Sequence, residues 1–194
     1  PEMVARFKRE ILISAKIQHP NLIRMYDDGV QDGIHYFAME YFPGESLHKH
    51  VSRLGPLPVE TALRIIGEVV TAIGHIHHEG LIHRDVKPSN VMVDPNGHVT
   101  LLDFGVLREE RPERRFTRTG LVVGTPAYMA PEQAKDAAQV DHRSDLYSVG
   151  VVMYEMFTGR HPFVAATPFE VLMKHASETP APLTAQNARV PAAD

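Results

Sequence analysis

A chain of 194 residues is long enough for one good-sized domain with its own core, and 43% hydrophobic with 23% charged residues excludes an intrinsically disordered polypeptide. A net charge of −4 gives no general attraction to nucleic acid or to an anionic membrane surface. No cysteine is present, which excludes disulfides and thiolate metal sites, and no apolar run is long enough to span a bilayer.

In chain order, Val4, Phe7, Ile11 and Ala15 recur among charged residues at helical spacing, which predicts a helix over residues 4–17. His19, Pro20 and Asn21 end it, because proline disfavours helical geometry in the residue before it. Two short strands are expected at residues 22–26 and 34–39, joined by a polar turn over 27–33. Phe42, Pro43, Gly44 and Glu45 form a further turn and the expected border between two lobes. Beyond Pro58 the spacing predicts a helix with Leu63, Ile66, Val70, Ile73 and His77 on one face, closed by Gly80. Residues 91–93 and 99–102 flank Asp94, Pro95, Asn96 and Gly97, the pattern of a hairpin. Residues 108–120 are polar, arginine-rich and without period, hence an exposed loop. Residues 145–158 are apolar on nearly all sides of a helix and belong centrally in the core, with Gly159 and Pro162 ending the helix. A last helix is expected over 168–177, followed by a Pro/Ala-biased stretch.

The groups that carry chemistry lie between His83 and Gly105. Asp85 falls in a tight loop between a helix and a hairpin, where a carboxylate can face a cleft, and Lys87 two residues on can point to the same side. Asn90 is an oxygen donor that leads into the hairpin, which returns the chain so that Asp103 can face Asn90 across a metal. Two protein oxygens plus phosphate oxygens suit magnesium, which keeps several waters. Phosphoryl transfer needs such a metal, a group that orients the attacking hydroxyl, and a cation for the migrating group.

The run His83, Arg84, Asp85, Val86, Lys87, Pro88, Ser89, Asn90 resembles the catalytic loop of protein kinases, and Asp103-Phe104-Gly105 resembles their metal-binding motif. Lys87 before proline is similar to the serine/threonine branch. Gly124 to Glu132 resembles the end of the activation segment, and residues 145–150 the start of the central helix. Arg6 to Glu10 followed by His19-Pro20-Asn21 resembles the regulatory helix, and Met39 to Phe42 the hinge, the whole being most similar to bacterial members.

The resemblance implies an α+β, two-lobed protein-kinase fold, with a partial small lobe over residues 1–42 and a mostly helical large lobe over 43–194. It implies Asp85 as catalytic base, Lys87 on the γ-phosphate, Asn90 and Asp103 as magnesium ligands, and Thr125 hydrogen-bonding near Asp85 and Lys87. ATP would meet gatekeeper Met39, the backbone of Glu40 and Phe42, and Met92 beneath the adenine; Glu10 would form the regulatory ion pair. His83 would pack under Phe104, Asp145 would anchor the catalytic-loop backbone, and Glu132 would pair with an arginine further on. Arg84 before Asp85 implies control by phosphorylation at Thr117 or Thr119, a phosphate adding about −1.5 to −2 charge. The expected cofactors are ATP and Mg2+, the partners serine- and threonine-bearing proteins together with self-association for autophosphorylation, and the location cytoplasmic. No nucleic acid and no membrane contact within the segment are expected.

Singly, Asp85, Asn90 and Asp103 are common loop residues, and Glu10 is ordinarily a solvated charge; the order of the motifs carries the reading. Among the histidines, His75 and His78 share a helix face but no carboxylate completes a metal site. The five arginines between Arg108 and Arg118 have no aromatic interleaving, which favours a solvated loop over nucleic-acid binding. Neither a G-x-G-x-x-G loop nor a strand carrying the lysine partner of Glu10 occurs, so truncation at both ends is expected. The isolated segment is then expected to be poorly stable and nearly inactive, the more so if Glu132 is buried without its arginine. A pseudokinase or scaffolding module is the alternative if those upstream parts are truly missing.

Overall fold

The computed structural model describes residues 17–32, 34–102, 125–135 and 140–191. The predicted helix before Ile17 with Glu10, the motif residues Asp103 and Phe104, and the 108–120 loop with Thr117 and Thr119 lie outside the described residues.

The first hairpin pairs β1 (Met25–Gln31) antiparallel with β2 (Ile34–Met39), in register from Gln31 opposite Ile34 to Asp27 opposite Ala38, with a bulge before Met25 opposite Met39. The first strand therefore starts later than its apolar residues suggest. Leu22 and Ile23 are 6% and 4% exposed because they dock on the other sheet instead, Leu22 bridging Leu101 in parallel. The polar stretch expected as a turn is itself strand, and the reversal contracts to its end, where Asp32 takes φ 52, a left-handed conformation that Asp tolerates better than most.

Glu45–Ser46 (β3), Val91–Val93 (β4) and Val99–Leu101 (β5) form a second sheet in the order β3-β4-β5, all antiparallel. The 91–101 hairpin follows its expected course, its turn held by the Asp94 carboxylate accepting from the amides of Asn96 and His98. Leu47–Leu54 forms α1, which the sequence reading passed over; Ser46 caps it through its hydroxyl, and only Leu47 and Val51 are buried.

Helix α2 (Val59–His78) supplies the core from Ala62, Ile65, Ile66, Val69, Ala72, Ile73 and Ile76. Each fully buried isoleucine there contributes about 1.5–3 kcal/mol. The face is rotated from the predicted one: Ile66 and Ile73 are inside, but Leu63 and Val70 are 50% and 43% exposed. Residues seven apart drift around a 3.6-residue helix, and the Ile65–Val69–Ala72–Ile76 row wins the packing contest. Gly80, at φ 73, donates to His77 and turns the chain away.

After the short helix α3 (Pro131–Lys135), α4 (Arg143–Thr158) packs against α2. It buries Val149, Val151, Val152, Met156 and Phe157 together with polar Ser144, Asp145, Ser148 and Glu155. Gly159 ends it at φ 70, its amide donating to Glu155. Helix α5 (Pro168–Ser177) opens with a reciprocal capping box between Thr167 and Glu170, and a last turn, α6 (Leu183–Gln186), lies in the stretch read as loop. Among the described residues no helix is long and apolar enough to cross a membrane.

Candidate active site

The loop between α2 and β4 is built around one buried carboxylate. Asp145, in the first turn of α4 and 1% exposed, accepts from the amide of His83 at 2.8 Å and from the amide of Arg84 at 2.7 Å. The same oxygen that takes His83 lies 2.8 Å from His77 Nε2 at the end of α2. Three groups from two segments thus converge on one side chain. Arg84 sits at φ 64, a strained conformation for a side-chain-bearing residue, and this pair of amide bonds offsets the strain. Val86, 1% exposed, plugs the core beyond the bend.

His83 is also buried. Its Nε2 lies 3.1 Å from the Leu102 carbonyl, and its Nδ1 3.3 Å from the Asp85 amide. A carbonyl can only accept and an amide only donate, so the ring carries its proton on Nε2. The imidazole thereby links the loop to the end of β5, one residue before Asp103.

That scaffold aims three side chains together. Lys87 Nζ lies 2.7 Å from Asp85 Oδ2, both side chains 13% exposed. Asn90, at the end of the 3-10 turn Pro88–Asn90, donates from Nδ2 to the Asp85 carbonyl at 2.9 Å and to its Oδ2 at 3.1 Å. The Leu102 amide closes on the Asn90 carbonyl at 2.7 Å. With its amide nitrogen committed to Asp85, Asn90 retains Oδ1, an oxygen of the kind a hard cation takes.

Met39 ends β2 at 41% exposure. The Glu40 amide donates to the Arg24 carbonyl at 2.8 Å, and the Phe42 carbonyl accepts from Gly44 at 2.9 Å. Among the described residues the Glu40 carbonyl and the Phe42 amide enter no backbone hydrogen bond. Gly44 is required here, since a Cβ would strike the Val93 carbonyl and the Phe42 ring. Half-buried Met92 lies mid-strand in β4, opposite Ser46 and Thr100.

The segment after residue 124 differs from expectation at two positions. Among the described residues Thr125 makes no side-chain hydrogen bond to Asp85 or Lys87; its carbonyl instead closes the 3-10 turn Pro126–Tyr128 by accepting from Tyr128 at 3.1 Å. Glu132 is half-exposed where burial was expected. The buried polar residue of α3 is Gln133, 3% exposed, which the sequence reading missed. Its Oε1 accepts from Ala130 at 2.9 Å and its Nε2 donates to the Arg84 carbonyl at 3.2 Å, joining this segment to the catalytic loop. Ser148 and Glu155 were also missed. Ser148 Oγ donates to the Tyr128 carbonyl at 2.7 Å, and the Tyr128 hydroxyl donates to Glu155 Oε2 at 2.6 Å. Burial and that carboxylate hold the Tyr128 phenol far above its ordinary pKa, so it stays protonated and donating. No periodicity marks a polar residue whose partner is supplied by the tertiary fold.

The family description "Protein kinase domain" matches residues 2–190. The chain is 43% identical over 191 residues to the serine/threonine-protein kinase pkn3 of Myxococcus xanthus, covering 93% of this chain and 34% of that protein. It is 38% identical over 186 residues to the serine/threonine-protein kinase PknB of Mycobacterium leprae, covering 94% and 30%. To PrkC of Bacillus subtilis the figures are 37% over 180 residues, 92% and 28%. The chain thus spans about a third of the length of the curated relatives it matches. A match running from residue 2 to residue 190 leaves almost nothing of the sequence outside it, and the chain belongs to the protein kinase family.

Proposed function

We propose that the protein transfers the γ-phosphoryl group of ATP to serine or threonine hydroxyls of protein substrates, in the cytoplasm, with Asp85 as the general base. The observation that carries this reading is the cluster at Asp85: a carboxylate held at 2.7 Å from Lys87 Nζ and 3.1 Å from Asn90 Nδ2, in a loop fixed from behind by Asp145.

Asp85 orients the acceptor hydroxyl and takes its proton as the new bond forms. Lys87, beside it, offsets negative charge where the phosphoryl group arrives. Asn90 Oδ1 and Asp103 are the oxygen ligands for Mg2+, which when bound neutralises phosphate charge. The Glu40 carbonyl and Phe42 amide present one acceptor and one donor to the adenine edge, with Met39 and Met92 as its apolar neighbours. Glu10 supplies the regulatory ion pair, and Arg84 receives a phosphate placed on Thr117 or Thr119, through self-association of two copies.

Replacement of Asp85 by Asn in the full-length protein is the direct test. It keeps the volume and the Asn90 contact while removing the base, and turnover is expected to fall by about 10²–10⁴-fold. Phosphate transfer at the wild-type rate in Asp85→Asn would defeat the assignment of Asp85 as the base, whereas absence of transfer by the wild-type protein would favour a scaffolding role for the fold.

A further inference from the structure

Helix α2 carries a half-buried carboxylate on which two other segments meet. Glu68 Oε2 accepts from Asn21 Nδ2 at 2.8 Å and from the Val99 amide at 3.0 Å, while Oε1 accepts from Arg64 at 2.8 Å. Asn21 is 8% exposed, and its Nδ2 also donates to the Val99 carbonyl at 2.8 Å. Carboxylate and carbonyl oxygens only accept, which fixes the orientation of the Asn21 side-chain amide. The Asn21 carbonyl accepts from the Leu101 amide at 2.8 Å, and the Leu101 carbonyl accepts from the Ile23 amide at 3.1 Å.

Those last two bonds both end on Leu101, and attachment at one residue fixes the position of a strand better than its direction. The link from Asn21 through Glu68 to Val99, two residues earlier in β5, supplies the second point that sets the angle. Both segments run on into the candidate site. One residue past Ile23, the Arg24 carbonyl accepts from the Glu40 amide at 2.8 Å, which holds the start of the stretch over residues 40–42. One residue past β5, the Leu102 amide donates to the Asn90 carbonyl at 2.7 Å, and the Leu102 carbonyl lies 3.1 Å from His83 Nε2. The groups assigned to the adenine edge and to the metal are therefore joined, through backbone hydrogen bonds, to one carboxylate that belongs to neither.

We propose that Glu68 is a positioning residue for the nucleotide: by holding Asn21 and Val99 together it sets the angle of residues 21–24 against β5, and with it the placement of Glu40 and Phe42 relative to Asn90. This rests on the kinase reading and deepens it at the nucleotide side. The two bonds to the Glu68 Oε2 atom carry the effect. The Arg64 pair on Oε1 is solvent-exposed and contributes little.

Substitution in the full-length protein separates positioning from support of the fold. Glu68→Ala removes both bonds, whereas Glu68→Gln keeps an oxygen that accepts from Asn21 and Val99. With a peptide spanning residues 112–124 as acceptor, Glu68→Ala should raise the KM for ATP by about 3- to 10-fold, the loss of one hydrogen bond, and leave the peptide KM unchanged. Glu68→Gln should restore the KM for ATP to near the wild-type value. Asn21→Ala breaks the same link from the other side and should act like Glu68→Ala, so the proposal is decided even where Glu68→Ala does not fold. Hydrogen exchange is read in parallel and needs no catalysis: the amides of Ile23, Val99 and Leu101 should exchange faster in the two Ala variants and not in Glu68→Gln. A smaller folded fraction lowers turnover per mole of protein but leaves KM untouched, so reduced turnover with an unchanged KM for ATP overturns the proposal. So does an equal rise in the peptide KM, an equal loss in Glu68→Gln, or exchange that quickens throughout α2, since each marks a structural role only. If the wild-type protein transfers no phosphate, the kinase reading fails, while exchange at Ile23, Val99 and Leu101 still decides whether Glu68 holds the junction.

Discussion

At the scale of single residues, the loop over residues 83–90 depends on a buried side chain that lies outside it. Asp145 satisfies two consecutive backbone amides of a bend that contains a strained residue, and it does so from a helix end where negative charge is favoured. Replacing it with Ala removes the acceptor of the His83 and Arg84 amides and of the His77 ring in a largely buried site. A buried donor without its acceptor costs about 1–3 kcal/mol, so Asp145→Ala should lower the stability to urea by about 3 kcal/mol or more. It should also reduce turnover, because Asp85 and Lys87 follow the backbone they stand on. A stability within about 0.5 kcal/mol of wild type would show that the loop holds its shape by other means. The role expected of Asp145 was written in the sequence only as a resemblance. Its mechanism, two amides and one imidazole on one carboxylate, needed coordinates. The same holds for Gln133 and Glu155, whose positions in the sequence carry no pattern and whose partners lie 49 and 27 residues away.

At the scale of elements, legibility followed length and caps. Helix α5 has the limits expected of it, and its start carries a full capping box: Thr167 Oγ1 accepts from the Glu170 amide and Glu170 Oε2 from the Thr167 amide. Thr167→Ala removes half of that exchange and should cost about 1 kcal/mol in urea unfolding. Restoration by Thr167→Ser would attribute the loss to the cap; equal loss in both variants would attribute it to the methyl group. Helix α1 escaped notice because a helix of eight residues with two buried positions gives too little periodicity to stand out from its charged neighbours. The rotated face of α2 has a different cause. The helix carries more apolar residues than one face can bury, and only the packing of α4 and the β3-β4-β5 sheet selects among them. The strand β1 was displaced for a related reason, its apolar start being claimed by the second sheet through Leu22 and Leu101.

At the scale of the whole molecule, histidines are the groups that tie stability to pH near neutrality. His175 has its pKa lowered chiefly by burial, opposed by the Ala127 carbonyl and assisted by His161, with Tyr147 on its Nδ1 and Glu132 acting in turn on Tyr147. His19 is lowered by burial and by neighbouring His75, on which its ring stacks at 5.2 Å. In the unfolded chain both return to about 6.5. Above that value both states hold these rings neutral, and stability does not depend on them. Below it the unfolded chain takes up protons that the folded chain refuses, so unfolding is favoured progressively until the folded pKa is passed. Glu45 acts in the same direction at lower pH, its pKa being lowered by hydrogen bonds from Arg53 and His50, so its contribution is lost as the carboxylate protonates. The urea midpoint should therefore be flat from about pH 8 to 7 and fall as pH drops from about 6.5 to 5.5. His175→Phe should flatten part of that fall, since it removes one depressed histidine while leaving His19. A midpoint that rises on acidification through this window would mean that these rings gain protons on folding, the reverse of what their burial dictates.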